Sequence, residues 1–264
     1  MRALSLEYHD VVAGEDPDAT GFPGPGPASY KIPLAAFEAH LDAIGTAARI
    51  APTRATDWLT AADAGRPLFI TFDDGGVSAV GCIADALERR GWRGHFFMTA
   101  GRVDTPGFLS GPQLREMVAR GHVIGSHSYS HPKRMGGCPP ETIAEEWRRS
   151  VEVLQDVLGA PILTASVPGG FYTRPVGVHA AAAGIRVLFT SAPTTRAHAV
   201  DGCRVLGRYT LRRWSAPAYA AGLAAGAWRQ RAGQWALYST LDLLRHAAGD
   251  HYTTIRQMFW ARRG

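Results

Sequence analysis

Cysteine is scarce in this chain, and the three that are present lie far apart. Cys82, Cys138 and Cys203 form no CxxC pair, and an odd number cannot be fully paired within one chain. This argues against a disulfide framework and against a zinc site built on cysteine. Lysine is rarer still, because Lys31 and Lys133 are the only two, so arginine carries nearly all of the positive charge.

Long apolar runs are also missing. No stretch approaches the roughly 18 consecutive apolar residues that a membrane-spanning helix needs. Glu7, His9 and Asp10 interrupt the N-terminal stretch, which therefore lacks the apolar core of a secretory signal. We expect a cytoplasmic protein, with a peripheral position at the inner membrane as the alternative. The arginines are spread along the chain, which argues against a nucleic-acid partner.

Short apolar segments, typical of strands, alternate with longer segments of helical periodicity. The predicted strands are Ala3–Tyr8, Leu68–Phe72, His95–Thr99, Val123–Ser126, Ile162–Val167, Ile185–Thr190 and Val205–Thr210. The predicted helices are Pro33–Arg49, Val77–Arg90, Pro112–Arg120, Glu141–Leu158, Pro217–Ala227, Gly233–Ala248 and Tyr252–Arg263. This alternation predicts an α/β fold, a distorted (β/α)7 TIM-like barrel in residues 1–215, with a helical C-terminal extension in residues 216–264.

Two further segments stand outside this pattern. The stretch GFPGPGPAS, Gly21–Ser29, is too rich in glycine and proline for the core and is predicted to be a loop. The C-terminal helices carry Trp228, Trp235 and Trp260 among scattered arginines. We favour packing of these helices on the barrel, with contact to a membrane surface as the alternative.

Polar or glycine-rich segments follow three of the predicted strands. These segments are TFDDG at 71–75, SHSYSHP at 126–132 and VPGG at 167–170. Because the carboxyl ends of barrel strands share one face, the three segments are expected to meet in one pocket.

The residue types in these segments favour metal chemistry. One of Asp73 and Asp74 could be a helix N-cap, but adjacent carboxylates on a strand point in different directions and suggest two roles. His127 and His131 together with one carboxylate form a ligand set typical of zinc, with a position open for water. A pair of structural polar histidines is the alternative for HxxxH alone.

The order of these motifs identifies a family. TFDDG followed by HFFMTAGRVDTPGFLSGPQLREMVARGHVIGSHSYSHP resembles the polysaccharide deacetylases of carbohydrate esterase family 4, the NodB-homology domain, over residues 1–215. The resemblance implies hydrolysis of N-acetyl groups on an N-acetylated sugar of a bacterial polysaccharide or glycan. It also implies that Asp73 is the general base and that Asp74, His127 and His131 bind one divalent metal. Zinc suits this ligand set best, and cobalt, nickel or iron would also fit.

The family's third motif, an Arg-x-Pro-aromatic-Gly turn, is altered in this chain. Ser166 replaces the arginine and Gly169 replaces the aromatic residue. Because a backbone donor survives any side-chain change, the resemblance still implies an oxyanion-binding N–H at Gly169 or Gly170, with a plain Pro-Gly turn as the alternative. Arg208 is the candidate to replace the arginine that orients the base, unless it is an ordinary exposed residue.

The family's last motif, a strand ending in Leu-x-His-Asp, is not found near the C-terminus. Leu6–Asp10, LEYHD, fits it at the other end of the chain. In this respect the chain resembles a permuted branch of the family, the poly-N-acetylglucosamine deacetylases. The resemblance implies that His9 is the general acid and Asp10 its orienting partner, with a purely structural histidine as the alternative. The family's aspartate that pairs with this histidine is not visible in Leu188–Thr194.

Two other functions are compatible with the sequence. The same fold could act on a non-sugar C–N bond, as related amidohydrolases do. The chain could also be a metal- or glycan-binding module with little catalysis, although binding alone would not need the second carboxylate at Asp73. The sequence leaves the sugar, the polymer length and the oligomeric state open.

Overall fold

The structure, a computed structural model, describes residues 1–61 and 65–248. The strands in these ranges are β1 Leu4–Tyr8, β2 Val11–Val12, β3 Ile32–Pro33, β4 Leu68–Phe72, β5 His95–Met98, β6 Val123–Ser126, β7 Thr164–Ser166, β8 Val187–Phe189, β9 His198–Val200, β10 Cys203–Leu206 and β11 Tyr209–Thr210. The helices are α1 Pro25–Ala28, α2 Leu34–Ala47, α3 Ala55–Thr60, α4 Cys82–Glu88, α5 Gly111–Ala119, α6 Pro140–Leu158, α7 Arg174–Ala182, α8 Pro217–Ala225 and α9 Trp228–Ala248.

The main sheet closes on itself through one interrupted strand. From β1 the parallel order runs β4, β5, β6, β7 and β8. β10 then pairs with β8, and β11, only two residues further along the chain, pairs with β1. The segment Cys203–Thr210 is therefore the seventh strand of a ring of parallel strands, and the predicted (β/α)7 barrel is confirmed. The short strand β9 adds to β10 in antiparallel orientation.

The interruption in the closing strand has a local cause. A Cβ atom at Gly207 would lie 2.2 Å from the Ala192 carbonyl oxygen, so this backbone approach requires glycine. The next residue, Arg208, donates its backbone N–H to the same carbonyl over 3.0 Å. The predicted strand Val205–Thr210 is therefore split, and its middle pairs with the loop after β8.

Alternate residues of the strands enter two separate clusters, as expected for a sheet covered on both faces. Leu68, Ile70 and Phe72 of β4 belong to the larger cluster, which includes the helices, whereas Phe69 belongs to the smaller cluster. The smaller cluster fills the barrel and also includes Phe97 and Phe189. Successive side chains of β4 point to opposite faces of the sheet, and both faces are covered, so β4 is apolar throughout.

Some predicted elements differ from the structure. The predicted helix Val77–Arg90 is a short 3-10 turn at Val77–Ala79 followed by α4, because Gly81 between them has a non-helical backbone. Strands β7 and β8 are shorter than predicted. The predicted loop Gly21–Ser29 contains one helical turn, α1. Helices α3 and α7 and the short strands β2, β3 and β9 were not predicted, since they are brief or, in α7, include proline and glycine and have little apolar periodicity.

The C-terminal helices follow the last strand. α8 packs against α2, and Gln234 of α9 pairs with both backbone groups of Thr210, at 3.0 Å to the N–H and 2.7 Å to the carbonyl. Trp228 and Trp235 nevertheless stay 72% and 61% exposed, so packing on the barrel does not cover these two rings. The predicted helix Tyr252–Arg263 and Trp260 lie outside the described residues. No helix in the described ranges has the length and apolar character needed to span a membrane.

The buried His95 at the start of β5 leads to a prediction about stability. Its Nδ1 lies 3.1 Å from the Ile70 carbonyl oxygen and its Nε2 accepts from the Ala55 N–H over 2.8 Å, so the neutral ring satisfies both contacts. Burial lowers the pKa of His95 to about 4. At pH values between the ordinary histidine pKa and this lower value, unfolding is accompanied by uptake of a proton. The free energy of unfolding therefore falls as the pH is lowered through this range.

From pH 7.5 to pH 5 we expect His95 to account for about 2 kcal/mol of lost unfolding free energy. Urea unfolding at both pH values would measure it in the wild type and in His95→Gln. The variant should lose less stability on acidification, and the exposed control His198→Gln should behave like the wild type. Equal pH dependence in all three proteins would contradict the prediction.

Candidate active site

The residues singled out from the sequence converge at the carboxyl ends of neighbouring strands. Asp73 and Asp74 follow β4, His127 follows β6, and Ser166 ends β7. Because the strands are parallel and in register, these positions lie at one end of the barrel.

Asp74, His127 and His131 form a compact set of three ligand atoms. Asp74 Oδ1 lies 3.5 Å from His127 Nε2 and 3.4 Å from His131 Nε2, and the three atoms are all within 4.8 Å of one another. His127 Nδ1 faces Ser166, at 2.6 Å from its Oγ and 3.1 Å from its carbonyl oxygen. This contact fixes the ring and directs Nε2 toward the other two groups, an arrangement common for metal-binding histidines.

Two of these three residues have an unusual backbone. Asp74 has φ 74° and His131 has φ 61°, and Ser128 between the histidines has φ 65°. Residues other than glycine rarely adopt this left-handed conformation, and where they do, functional constraints are often the reason. The chain here is bent so that the side chains of Asp74 and His131 meet.

The loop that carries both histidines is held by helix α6. Glu146 accepts hydrogen bonds from the backbone N–H groups of Tyr129 and Ser130, at 2.9 and 2.8 Å, and from the Ser130 hydroxyl at 2.6 Å. Ser128 Oγ accepts from the His131 N–H over 3.1 Å. The histidine pair therefore lies in a loop, and Glu146 fixes the shape of that loop.

Asp73 is held by a buried arginine. Arg208 Nη1 donates to Asp73 Oδ1 and Arg208 Nη2 donates to Oδ2, both over 2.7 Å, and neither side chain is accessible beyond 2%. This bidentate contact fixes the plane of the carboxylate. Arg208 is therefore not an ordinary exposed residue. It reaches Asp73 from the closing strand of the barrel.

A second buried carboxylate holds Arg208 from the other side. Glu7 Oε1 lies 2.8 Å from Arg208 Nη2 and accepts from the Ser191 hydroxyl over 2.9 Å. The other oxygen of Glu7 accepts from the Thr210 hydroxyl. Sequence reasoning did not single out Glu7. The only available signal was a charged residue within an otherwise apolar strand.

Ser166 connects Asp73 to the set formed by Asp74, His127 and His131. Its hydroxyl donates to Asp73 Oδ1 over 2.9 Å and also lies against His127 Nδ1. In the sequence it was noted only as the residue that replaces the family's arginine. In the structure it is a small bridge between Asp73 and His127, and Arg208 occupies the space beside the carboxylate.

The electrostatic environment keeps Asp73, Asp74 and His127 in the forms that bind a cation. Burial would raise the pKa of Asp73, but the charges of Arg208 and His127 outweigh it, so that pKa lies well below its usual range. Burial acts likewise on Asp74, yet the hydrogen bond and charge of His131 and the charge of His9 lower its pKa to about 2. Burial lowers the pKa of His127 to about 4. Ionised carboxylates and a neutral imidazole are the ligand forms that metals require.

The Pro-Gly-Gly segment forms a tight turn beside the site. Gly169 and Gly170 have φ values of 65° and 71°, and the Gly170 N–H already donates to the Val167 carbonyl over 3.4 Å. A Cβ atom at Gly169 would lie 2.6 Å from the Lys133 carbonyl oxygen, so an aromatic residue cannot occupy this position without moving that loop. Of the two amides, Gly169 is the better candidate for an oxyanion donor.

His9 lies beside Asp73. One ring nitrogen of His9, one oxygen of Glu7 and one oxygen of Asp73 are within 4.8 Å of one another. β1 and β4 are neighbouring strands with Tyr8 paired to Phe72, so the residues that follow them are also neighbours.

Asp10 does not have the orienting role expected of it. Its Oδ1 accepts hydrogen bonds from the Thr20 and Ser78 hydroxyls, at 2.9 and 2.8 Å, while His9 Nδ1 is buried without a hydrogen-bond partner among the described residues. Gly21 and Gly76 approach the Asp10 carboxylate so closely that a Cβ at either position would collide with it. Asp10 therefore anchors the loop after β2.

Comparison with known proteins agrees with this geometry. Residues 61–188 match the family model for polysaccharide deacetylases. A polysaccharide deacetylase from Bacillus cereus is 20% identical, with a TM-score of 0.68 over 84% of this chain and 69% of that chain. IcaB from Ammonifex degensii is 25% identical, with a TM-score of 0.67 over 85% of this chain and 97% of that chain.

A third solved structure is the Streptococcus pyogenes deacetylase PplD in complex with acetate. It is 17% identical, with a TM-score of 0.68 over 82% of this chain and 95% of that chain. No curated protein matches the sequence significantly. The family match spans both the segment with the paired aspartates and the segment with the paired histidines, and the barrel is the one that these deacetylases share. The segment 61–188 is therefore identified as part of a polysaccharide deacetylase domain of the carbohydrate esterase family 4 type.

Proposed function

We propose that this protein is a metal-dependent hydrolase that removes N-acetyl groups from an N-acetylated sugar of a bacterial polysaccharide or glycan. The observation that carries the proposal is the position of Asp73. Its Oδ2 lies 3.9 Å from His127 Nε2, beside the converging ligand atoms, while Arg208 holds both of its oxygens. A carboxylate fixed next to a metal-ligand set is what a general base needs.

The residues present fit one divalent cation. Three buried carboxylates, Glu7, Asp73 and Asp74, face one buried guanidinium, Arg208, which leaves two negative charges uncompensated when the imidazoles are neutral. Uncompensated buried charge is costly, and a divalent cation would remove the excess. Asp74, His127 and His131 would hold it. Zinc suits two imidazoles and one carboxylate, and cobalt, nickel or iron would fit as well.

The proposed chemistry assigns each protein group one task. A divalent ion in such a site polarises a carbonyl oxygen and lowers the pKa of water. Asp73 takes a proton from the water whose oxygen attacks the acetyl carbon. The backbone N–H of Gly169 donates to the developing oxyanion. The C–N bond then breaks, His9 gives a proton to the leaving amine, and the products are acetate and the free amino sugar.

The adjacency of His9 and Asp73 is compatible with this division of labour. The attacking oxygen and the leaving nitrogen are substituents of one tetrahedral carbon, so neighbouring side chains can serve both. Strand β1 lies between β11 and β4, which places His9 where the first and last strands of the barrel meet. This supports the assignment to the permuted branch, in which the acid histidine lies on the first strand.

Metal removal tests the proposed function. We expect a chelator to abolish acetate release from N-acetylated oligosaccharides and added zinc to restore it. Simple non-sugar acetamides assayed in parallel would reveal an amidohydrolase of other specificity. Full activity in a preparation shown to be free of metal would contradict the mechanism, and metal binding without any hydrolysis would indicate a binding module.

His9→Ala tests the acid. Because an amine is a poor leaving group without a proton, kcat on an N-acetylated sugar should fall roughly 10²–10⁴-fold, with little change in metal content. An activated acetyl ester, whose leaving group needs no proton, should lose much less. Equal losses on amide and ester would show that His9 has only a structural role.

A further inference from the structure

The imidazole of His9 lacks the support that an acid of this kind usually has. A catalytic histidine is commonly oriented by a carboxylate or carbonyl that accepts from one ring nitrogen. In the described residues His9 Nδ1 is buried without a hydrogen-bond partner, and Asp10 is engaged with Thr20 and Ser78. Another contact must therefore hold the ring.

A stack of four side chains provides this contact. The rings of His9 and Tyr30 are 4.3 Å apart between centroids and inclined by 34°. The Arg212 guanidinium carbon lies 4.2 Å from the centroid of the Tyr30 ring and 5.8 Å from that of Trp214. We call this series, His9, Tyr30, Arg212 and Trp214, the His9 stack. It runs from the candidate active site to a ring that is 38% exposed.

The backbone on both sides of the stack is fixed. The Arg213 N–H donates to the Ser29 carbonyl over 3.2 Å, which joins the two segments that carry Tyr30 and Arg212. Lys31, next to Tyr30, is 2% exposed, and its ammonium donates to the Pro17 and Thr20 carbonyls over 2.6 and 2.7 Å. Tyr30 is thus held against His9 by backbone contacts and by a buried neighbour.

We propose that Tyr30, backed by Arg212, is the positioning residue of His9. The inference rests on the proposed acid role of His9. The N–H bonds of an imidazole lie in the plane of its ring. A contact on the ring face therefore fixes that plane without occupying either nitrogen. A proton donor needs this combination, a fixed direction and a free N–H. The stack thus takes the place of the hydrogen-bonded partner that His9 Nδ1 lacks among the described residues.

The test compares two variants on two substrates. Tyr30→Leu removes the ring, whereas Tyr30→Phe keeps the face that contacts His9. With an N-acetylated oligosaccharide, Tyr30→Leu should lower kcat about 10–100-fold with KM little changed, because the donor is misdirected. Tyr30→Phe should stay within about threefold of the wild type. With an activated acetyl ester both variants should retain most of their activity.

Two further variants serve as a matched control and as a substitute for Tyr30→Leu. Tyr172→Leu is the matched control, since that ring contacts His198, and it should leave both reactions unchanged. If Tyr30→Leu does not fold, Arg212→Met should give a smaller loss confined to the amide. A Tyr30→Leu enzyme that keeps its amide activity, or that loses both activities equally, would overturn the positioning role. Full amide activity in His9→Ala would overturn it together with the acid assignment.

Discussion

Asp73→Asn is expected to bind metal as the wild type does and to lose nearly all turnover. The amide cannot take the proton, so kcat on an N-acetylated sugar should fall by roughly 10²–10⁴-fold. Asp74, His127 and His131 remain in place, and metal content should be unchanged. The fold should also persist, because Arg208 keeps its ion pair with Glu7 at 2.8 Å. Acetate release and metal analysis of the same preparation would measure both effects.

The matched control for this variant is Asp85→Asn. Asp85 lies on α4 and pairs with Arg120 at the protein surface, outside the candidate active site. It should have wild-type activity and metal content. If Asp73→Asn instead releases the metal while Asp74→Asn retains it, the roles of the two aspartates are exchanged.

His127→Ala should have the largest effect on metal affinity. It removes a buried ligand, whereas Ser166→Ala removes only the hydroxyl that lies 2.6 Å from His127 Nδ1. Loss of a residue that supports a ligand typically costs 10–100-fold in affinity, and loss of the ligand itself should exceed roughly 100-fold. Titration against a competing chelator would give both values.

His179→Ala, on α7, is the control for folding and for the number of histidines. It should bind metal like the wild type. Circular dichroism of the metal-free proteins would separate loss of the ligand from loss of structure. Equal metal affinity in His127→Ala and the wild type would remove His127 from the ligand set.

The elements that carry the site could be predicted because their signals are local. β4 and β6 have the predicted limits, since each is a short apolar run that ends at polar or glycine-rich residues. The paired aspartates and paired histidines directly follow these strands. Their proximity then requires only that the parallel strands β4, β5 and β6 have their carboxyl ends at the same end of the barrel.

The surroundings of the site could not be predicted with the same precision, because they depend on contacts between distant segments. Glu7, Asp73 and Arg208 meet only after the barrel has closed, and nothing near Glu7 in the sequence indicates an arginine partner. Asp10 was assigned to His9 through the resemblance of LEYHD to the family's Leu-x-His-Asp motif, but successive side chains on an extended strand point to opposite faces. Asp10 consequently contacts Thr20 and Ser78, and Tyr30 contacts His9.

The interrupted closing strand has a consequence for the order in which the site is completed. The four residues proposed as base and metal ligands lie between positions 73 and 131, after strands β4 and β6 with only β5 between them, so a growing chain can bring them together early. Arg208 enters last, on the same strand that joins β8 to β1. Since N-terminal segments are synthesised first and pairing of distant segments is slow, we expect the nascent protein to assemble the proposed metal ligands before Arg208 restrains the proposed base. Under the proposed roles, the capacity to capture a metal arises before the capacity to turn over substrate, and addition of the seventh strand separates the two stages.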